Sequence, residues 1–145
     1  MRSTRLLAAA FGALVFSSVV NAQGGPPIRI GSTLSLTGPL GPTSAIHKVA
    51  GEIFIDEVNK RGGLLGRKVE WVLKDDQSRP DLARTLYEQL VTVDKVDLLN
   101  GPYGTASILS AMGIAQRYGK ILLHNSFGTP GLRSEEHTSE LQSQR

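Results

Sequence analysis

Short runs of apolar and branched residues alternate along this chain with stretches in which apolar positions return every three or four residues. The first run, Ile28-Arg29-Ile30-Gly31-Ser32-Thr33-Leu34-Ser35, predicts a strand that opens into the Gly/Pro-rich turn Leu36 to Thr43. Ile46, Val49, Ala50, Ile53 and Val58 then recur at helical spacing, with Thr43-Ser44 as hydroxyl caps before Ala45. Gly62-Gly63 ends that helix, because glycine accepts the left-handed cap conformation. Val69 to Leu73, rich in branched and aromatic side chains, predicts a second strand, and Asp75 to Arg79 a polar turn. Pro80 suits the first position of a second helix, which Leu82, Ala83, Leu86 and Leu90 continue. Val96 to Leu99 predicts a third strand, broken by Gly101-Pro102-Tyr103-Gly104. Ala106 to Tyr118 predicts a third helix with Ile108, Leu109, Met112 and Ala115 on one face, and Ile121 to Leu123 a fourth strand.

Strands alternating with helices of this length predict an α/β fold: a parallel open sheet with flanking helices and right-handed crossovers. In such sheets ligands bind beyond the carboxyl ends of the strands. Three of the four predicted ends carry small polar residues or glycine: Thr37-Gly38, Gly104-Thr105 and Ser126. A glycine lets a ligand approach the backbone, and a helix N-terminus presents N–H groups that favour a carboxylate. Each end taken singly reads as a turn. Together they are expected on one edge of one sheet.

The two ends of the chain read differently from its middle. Residues 1–22 have the parts of a secretion leader: Arg2 and Arg5, an apolar stretch from Leu6 to Val20, and the small-residue cleavage site Val20-Asn21-Ala22. A membrane anchor is the alternative, but the apolar run is shorter than the ~20 residues a span needs. Residues 133–145 form a polar tail in which Arg133 to Ser143 matches the translation of a common short-read sequencing adapter. On that reading the protein's own sequence stops at Leu132, and residues 23–132 are the N-terminal portion of a ligand-binding lobe. The chain has no cysteine, which excludes a disulfide framework or a thiolate metal site. Between Gln23 and Leu132 lie 12 basic and 10 acidic residues, scattered, which is no nucleic-acid footprint.

Candidate chemistry is sparse. Asp75-Asp76 has no partners at metal-ligand spacing and reads as a solvated turn. His47 and His124 lack a nucleophile context, though His124 falls at a strand end. Trp71, inside a strand, reads as packing more than as a ligand platform. Tyr103 and Phe127, at two strand ends, could flank an apolar ligand side chain or pack within their loops. Gly38 to Gly41 is no phosphate loop, since no Gly-Lys-Ser/Thr follows.

Several stretches, taken in order, resemble the start of type I periplasmic binding proteins. They are Ile30 to Gly41, Asn59 to Glu70, Lys74-Asp75-Asp76-Gln77-Ser78 and Gly101-Pro102-Tyr103-Gly104-Thr105. The group most similar is the branched-chain amino-acid binding family of ABC transporters. The resemblance runs from Ile28 to Leu132. It implies two α/β lobes that close over a small ligand, an amino acid or a related carboxylate or amide, and a closed protein that docks on an ABC permease in the inner membrane. It implies a periplasmic location; from the residues themselves no cofactor, metal, nucleic-acid partner or catalysis is expected. By position it places Thr105 at the family's hydroxyl residue after the third strand, Ser126 at a small backbone contact after the fourth, and Thr43 at a contact in the first loop. Tyr103, Gly104 and Phe127 complete the expected ligand-binding set. Gly128 stands where some members carry a hydroxyl, and Tyr103 is bulkier than its counterpart in some close members. Two other readings stay open: an extracytoplasmic sensing domain on the same lobe, and an exported α/β enzyme, for which the strand ends offer only hydroxyls and one histidine.

Overall fold

The computed structural model of the protein describes residues 24–124. The leader at 1–22, the candidates Ser126 and Phe127 and the tail at 133–145 lie outside the described residues. Seven elements follow one another: β1 (Ile28–Leu34), α1 (Gly41–Lys60), β2 (Val69–Asp75), α2 (Pro80–Thr92), β3 (Leu98–Asn100), α3 (Thr105–Arg117) and β4 (Leu122–Leu123). The strands form one sheet in the order β2-β1-β3-β4, and every pairing is parallel. The expected α/β fold is the observed one.

Side chains alternate across a strand, so each strand serves both faces. Leu99 joins Tyr87, Leu90, Val96, Ala111 and Ile114 in the buried core beneath α2 and α3, with Val72 and Leu122 against it. Burying side chains of this size stabilises a fold by about 1.5–3 kcal/mol each. The opposite face carries α1, over β1 and β2. There Gly51 lets the helix approach the sheet: a Cβ on it would lie 2.6 Å from the Trp71 ring. Trp71 is thus a packing residue, half-buried under α1.

Several boundaries differ from those the pattern predicts. Helix α1 begins at Gly41, with Leu40 as its N-cap and no side-chain cap. Gly41 N–H closes a turn onto the Gly38 carbonyl at 3.0 Å, and Pro42 presets a helical φ, so the helix starts before the hydroxyls arrive. Thr43 Oγ1 instead donates back to the Leu40 carbonyl at 3.0 Å, and Ser44 is buried. Strand β2 runs on through Asp75, because β1 continues beside it as far as Leu34. In α3, Ala111 and Ile114 are buried and Leu109 is exposed, so the packed face is rotated from the predicted one. The apolar stripe of α1 is helical as predicted but largely uncovered: Ile46, Val49 and Ile53 are exposed and only Val58 is buried among its large apolar members. Periodicity selects a helix face; it does not supply the surface that covers it.

Candidate functional site

Strand order reverses between β1, whose following strand lies to one side, and β3, which lies to the other. The two loops leaving their carboxyl ends therefore diverge, and a crevice opens between them. One wall is the β1–α1 loop, Ser35 to Leu40. The other is the β3–α3 loop, Gly101 to Gly104. The loops approach each other at their far ends, where a Cβ on Gly104 would sit 3.5 Å from Leu40 Cδ1. Gly104 has φ +95°, a conformation that favours glycine, and it is the N-cap of α3. No side chain caps α3 and no acidic residue lies in its first turn. Its N–H groups thus face the crevice edge with the polarity that suits a carboxylate.

The first loop is cast against the β2–α2 loop. Asp75 Oδ1 accepts from the N–H groups of Leu36 (3.0 Å), Thr37 (3.2 Å) and Gln77 (2.9 Å), while Oδ2 accepts from Thr37 Oγ1 (2.7 Å). Desolvation opposes ionisation of this carboxyl, but the donors from Thr37, Gln77 and Leu36 outweigh it and hold Asp75 below the ordinary carboxylate range. Asp76 is fully buried. It accepts from Thr33 Oγ1 (2.7 Å), Ser35 Oγ (2.8 Å) and Ser78 N–H (3.0 Å). Ser78 Oγ in turn donates to the Thr37 carbonyl (3.1 Å) and accepts from Leu40 N–H (3.0 Å). Gly38, at φ +83°, lies so close that a Cβ would be 2.6 Å from the Gln77 carbonyl oxygen. The expectation of a solvated turn at Asp75-Asp76 is corrected for Asp76. Three hydroxyl or amide donors reach it inside the fold, and a carboxylate so supplied needs no water. Among the described residues no group of three or more metal-ligating side chains converges.

A second device lies below the crevice. Tyr87, on α2, is fully buried, and burial holds its phenol well above the ordinary value. Its hydroxyl accepts from Thr33 N–H at 3.4 Å and donates to the Asn100 carbonyl. It thus joins β1 to β3 where their pairing ends, at Ser32 with Asn100.

The predicted site residues divide into those the fold brings together and those it does not describe. Gly104, Thr105 and Tyr103 lie on one wall, and Thr43 stands exposed in the first turn of α1 beyond the other. The Tyr103 ring packs against His47 of α1, centroids 4.9 Å apart and tilted by 52°. Both border an apolar groove of about 490 Å³ that runs under α1 to Trp71 and Leu123. Thr37-Gly38 and Gly104-Thr105 share the carboxyl edge of the sheet, as expected. Asp76 and Tyr87 also shape the site, and neither stands out in the hydropathy pattern. One signal could have found Asp76: hydroxyls at Ser32 and Thr33 in a central parallel strand, and at Ser35 just past its end, demand buried acceptors.

Comparison with known proteins extends this geometry. The family model described as "Periplasmic binding protein" matches residues 27–143. The Leu/Ile/Val-binding protein BraC3 of Rhizobium johnstonii is 26% identical over 136 residues, covering 94% of this chain and 36% of the relative. A chemotactic signal transduction system substrate-binding protein, BasB of Halobacterium salinarum, is 35% identical over 80 residues, or 54% of this chain and 19% of BasB. The crystal structure of the branched-chain amino acid transporter substrate-binding protein LivJ of Streptococcus pneumoniae, in complex with isoleucine, superposes with TM-score 0.71 at 28% identity. That match covers 75% of this chain and 31% of LivJ. The chain therefore spans a fifth to about a third of the length of these relatives. A parallel sheet reversing at β1 and β3 and a family model matched from residue 27 to 143 agree: the chain belongs to the periplasmic binding protein family.

Proposed function

We propose that the full-length protein is the substrate-binding component of an ABC importer for a small amino-acid-like solute, and that this chain supplies one wall of its cleft. The observation that carries this reading is the crevice between the β1 and β3 loops, with the uncapped N-terminus of α3 and the glycine Gly104 on its edge. The isoleucine-bound LivJ structure, similar in fold, supports an amino acid as the solute class. In this reading Gly104 offers its backbone and Thr105 its hydroxyl to the charged end of the solute. Tyr103 borders the solute's side chain, Thr43 contributes from the first loop, and Ser126 and Phe127 add contacts after the fourth strand. The protein binds and releases the solute without chemical change and hands it to a membrane permease. It works in the periplasm after its leader is cut following Ala22.

Two measurements test this reading. A hydrogen bond to a charged group contributes about 1.5–3 kcal/mol, so Thr105→Val in the full-length protein is expected to weaken solute binding by roughly ten- to a hundredfold. Calorimetric titration decides it, with circular dichroism confirming the fold; unchanged affinity removes Thr105 from the site. Export is checked by N-terminal sequencing of the secreted product, which is expected to begin at Gln23. An uncleaved product that resists carbonate extraction from membranes overturns the leader.

A further inference from the structure

The core explains a large apolar ring at position 87, but it does not explain a hydroxyl there. Phenylalanine would fill the same space between α2 and the sheet. A phenol buried at 0% exposure is costly unless its hydroxyl both donates and accepts, and here it does both. The two partners are backbone groups of different strands, Thr33 of β1 and Asn100 of β3, one step past the last paired residues Ser32 and Asn100 on the β1 side and at them on the β3 side. The loops that wall the crevice start directly beyond, at Ser35 and Gly101.

We propose that Tyr87 is a positioning residue for the crevice: its hydroxyl, held between Thr33 N–H and the Asn100 carbonyl, sets how far β1 and β3 diverge where the two loops begin. Thr33 is gripped twice, by Tyr87 at its backbone and by Asp76 at its side chain (2.7 Å). Asp76 also holds Ser35, so the bridge and the loop clamp meet at Thr33 and extend from there to the strand's exit. Asn100 leads within a few residues to Tyr103 and Gly104, so the bridge also sets the other wall. Because the ring comes from α2, on the sheet face opposite α1, it acts on the crevice from beneath without occupying it. A phenol is protonated, and hence a donor, at physiological pH, and burial moves its titration further above that range.

The inference rests on the solute-binding reading, and its test separates the two. In the full-length protein, Tyr87→Phe is expected to weaken binding of whichever of the twenty standard amino acids the wild type binds best by about three- to tenfold. In the solute-free protein, hydrogen exchange is expected to quicken at residues 33–36 and 101–104 and to stay unchanged in the middles of α2 and α3. Ile114→Val, which loosens the same core, is expected to lower the melting temperature while leaving affinity and those amides as they are. Wild-type affinity and exchange in Tyr87→Phe overturn the proposal, as does exchange that rises uniformly over the fold. A wild type that binds none of the twenty standard amino acids sinks the importer reading instead, and the exchange pattern still judges Tyr87. Should Tyr87→Phe not fold, replacement of Tyr87 by p-aminophenylalanine keeps the donor to Asn100 and weakens the acceptor for Thr33. Faster exchange at Thr33 is then expected, and unchanged exchange there overturns the bridge.

Discussion

Replacing Asp76 by alanine is expected to destabilise the full-length protein by about 3 kcal/mol or more, because each hydrogen bond to a charged group contributes about 1.5–3 kcal/mol. Asp76 is fully buried and accepts from Thr33 Oγ1, Ser35 Oγ and Ser78 N–H. Alanine removes all three bonds at once and leaves two hydroxyls and an amide without their acceptor in the interior. The loss is local as well as global. Ser35 begins the first crevice wall, and Ser78 holds Thr37 and Leu40 through its hydroxyl. The same variant is therefore expected to quicken hydrogen exchange first along residues 35–40. Asp76→Asn keeps one acceptor oxygen and is expected to fall between wild type and alanine. Chemical unfolding of the three proteins checks the order, and a loss below about 1 kcal/mol for alanine would mean that water replaces the carboxylate at little cost.

The 145-residue chain on its own is expected to bind no amino acid more tightly than about millimolar, near −4 kcal/mol. Tight small-molecule sites bury most of the ligand surface. Among the described residues the two loops that wall the crevice leave it open to solvent, and Thr37 to Leu40 stand exposed along it. The opposite requirement, a covered core, is also unmet among the described residues. Ile46, Ile53 and Phe54 of α1 are 69%, 59% and 55% exposed, and Leu123 of the edge strand β4 is 62% exposed. Phe54 and Leu123 also line the apolar groove beneath α1, and uncovered apolar surface of this kind favours association of chains over a cooperative fold. A broad, concentration-dependent melt is expected. The check is a thermal-shift titration of the purified chain across an amino-acid panel. A sharp melt that rises with micromolar amino acid would show that this chain suffices for binding.

These two expectations draw on different parts of the molecule, and they show where a linear reading stops. The polar run Lys74 to Ser78 is conspicuous in the sequence, yet its carboxylates divide by depth in a way that spacing alone does not reveal. Asp75 holds loop backbone near solvent, and Asp76 turns inward to meet hydroxyls 41 and 43 residues earlier. Likewise Thr43 has the composition of a cap. It lost that role because a turn at Gly38 and a proline at position 42 started α1 sooner.

Local structure is written in neighbouring residues. Branched runs, helical periodicity, Pro80 at a helix start and Gly62-Gly63 at a helix end set the alternation of strands and helices. Alternation with right-handed crossovers then placed Thr37-Gly38 and Gly104-Thr105 on one edge of a parallel sheet. These are effects of neighbouring residues on backbone conformation and of chirality on connections, and both are written within a few residues. Tertiary structure alone decided the rest. Strand order β2-β1-β3-β4 decided which two loops face each other across the crevice. Close packing decided that the Tyr87 hydroxyl reaches Thr33 and Asn100, and that Asp76 is dry. It also decided that the apolar stripe of α1 lies open among the described residues, since a periodic pattern specifies a face and only another surface can cover it.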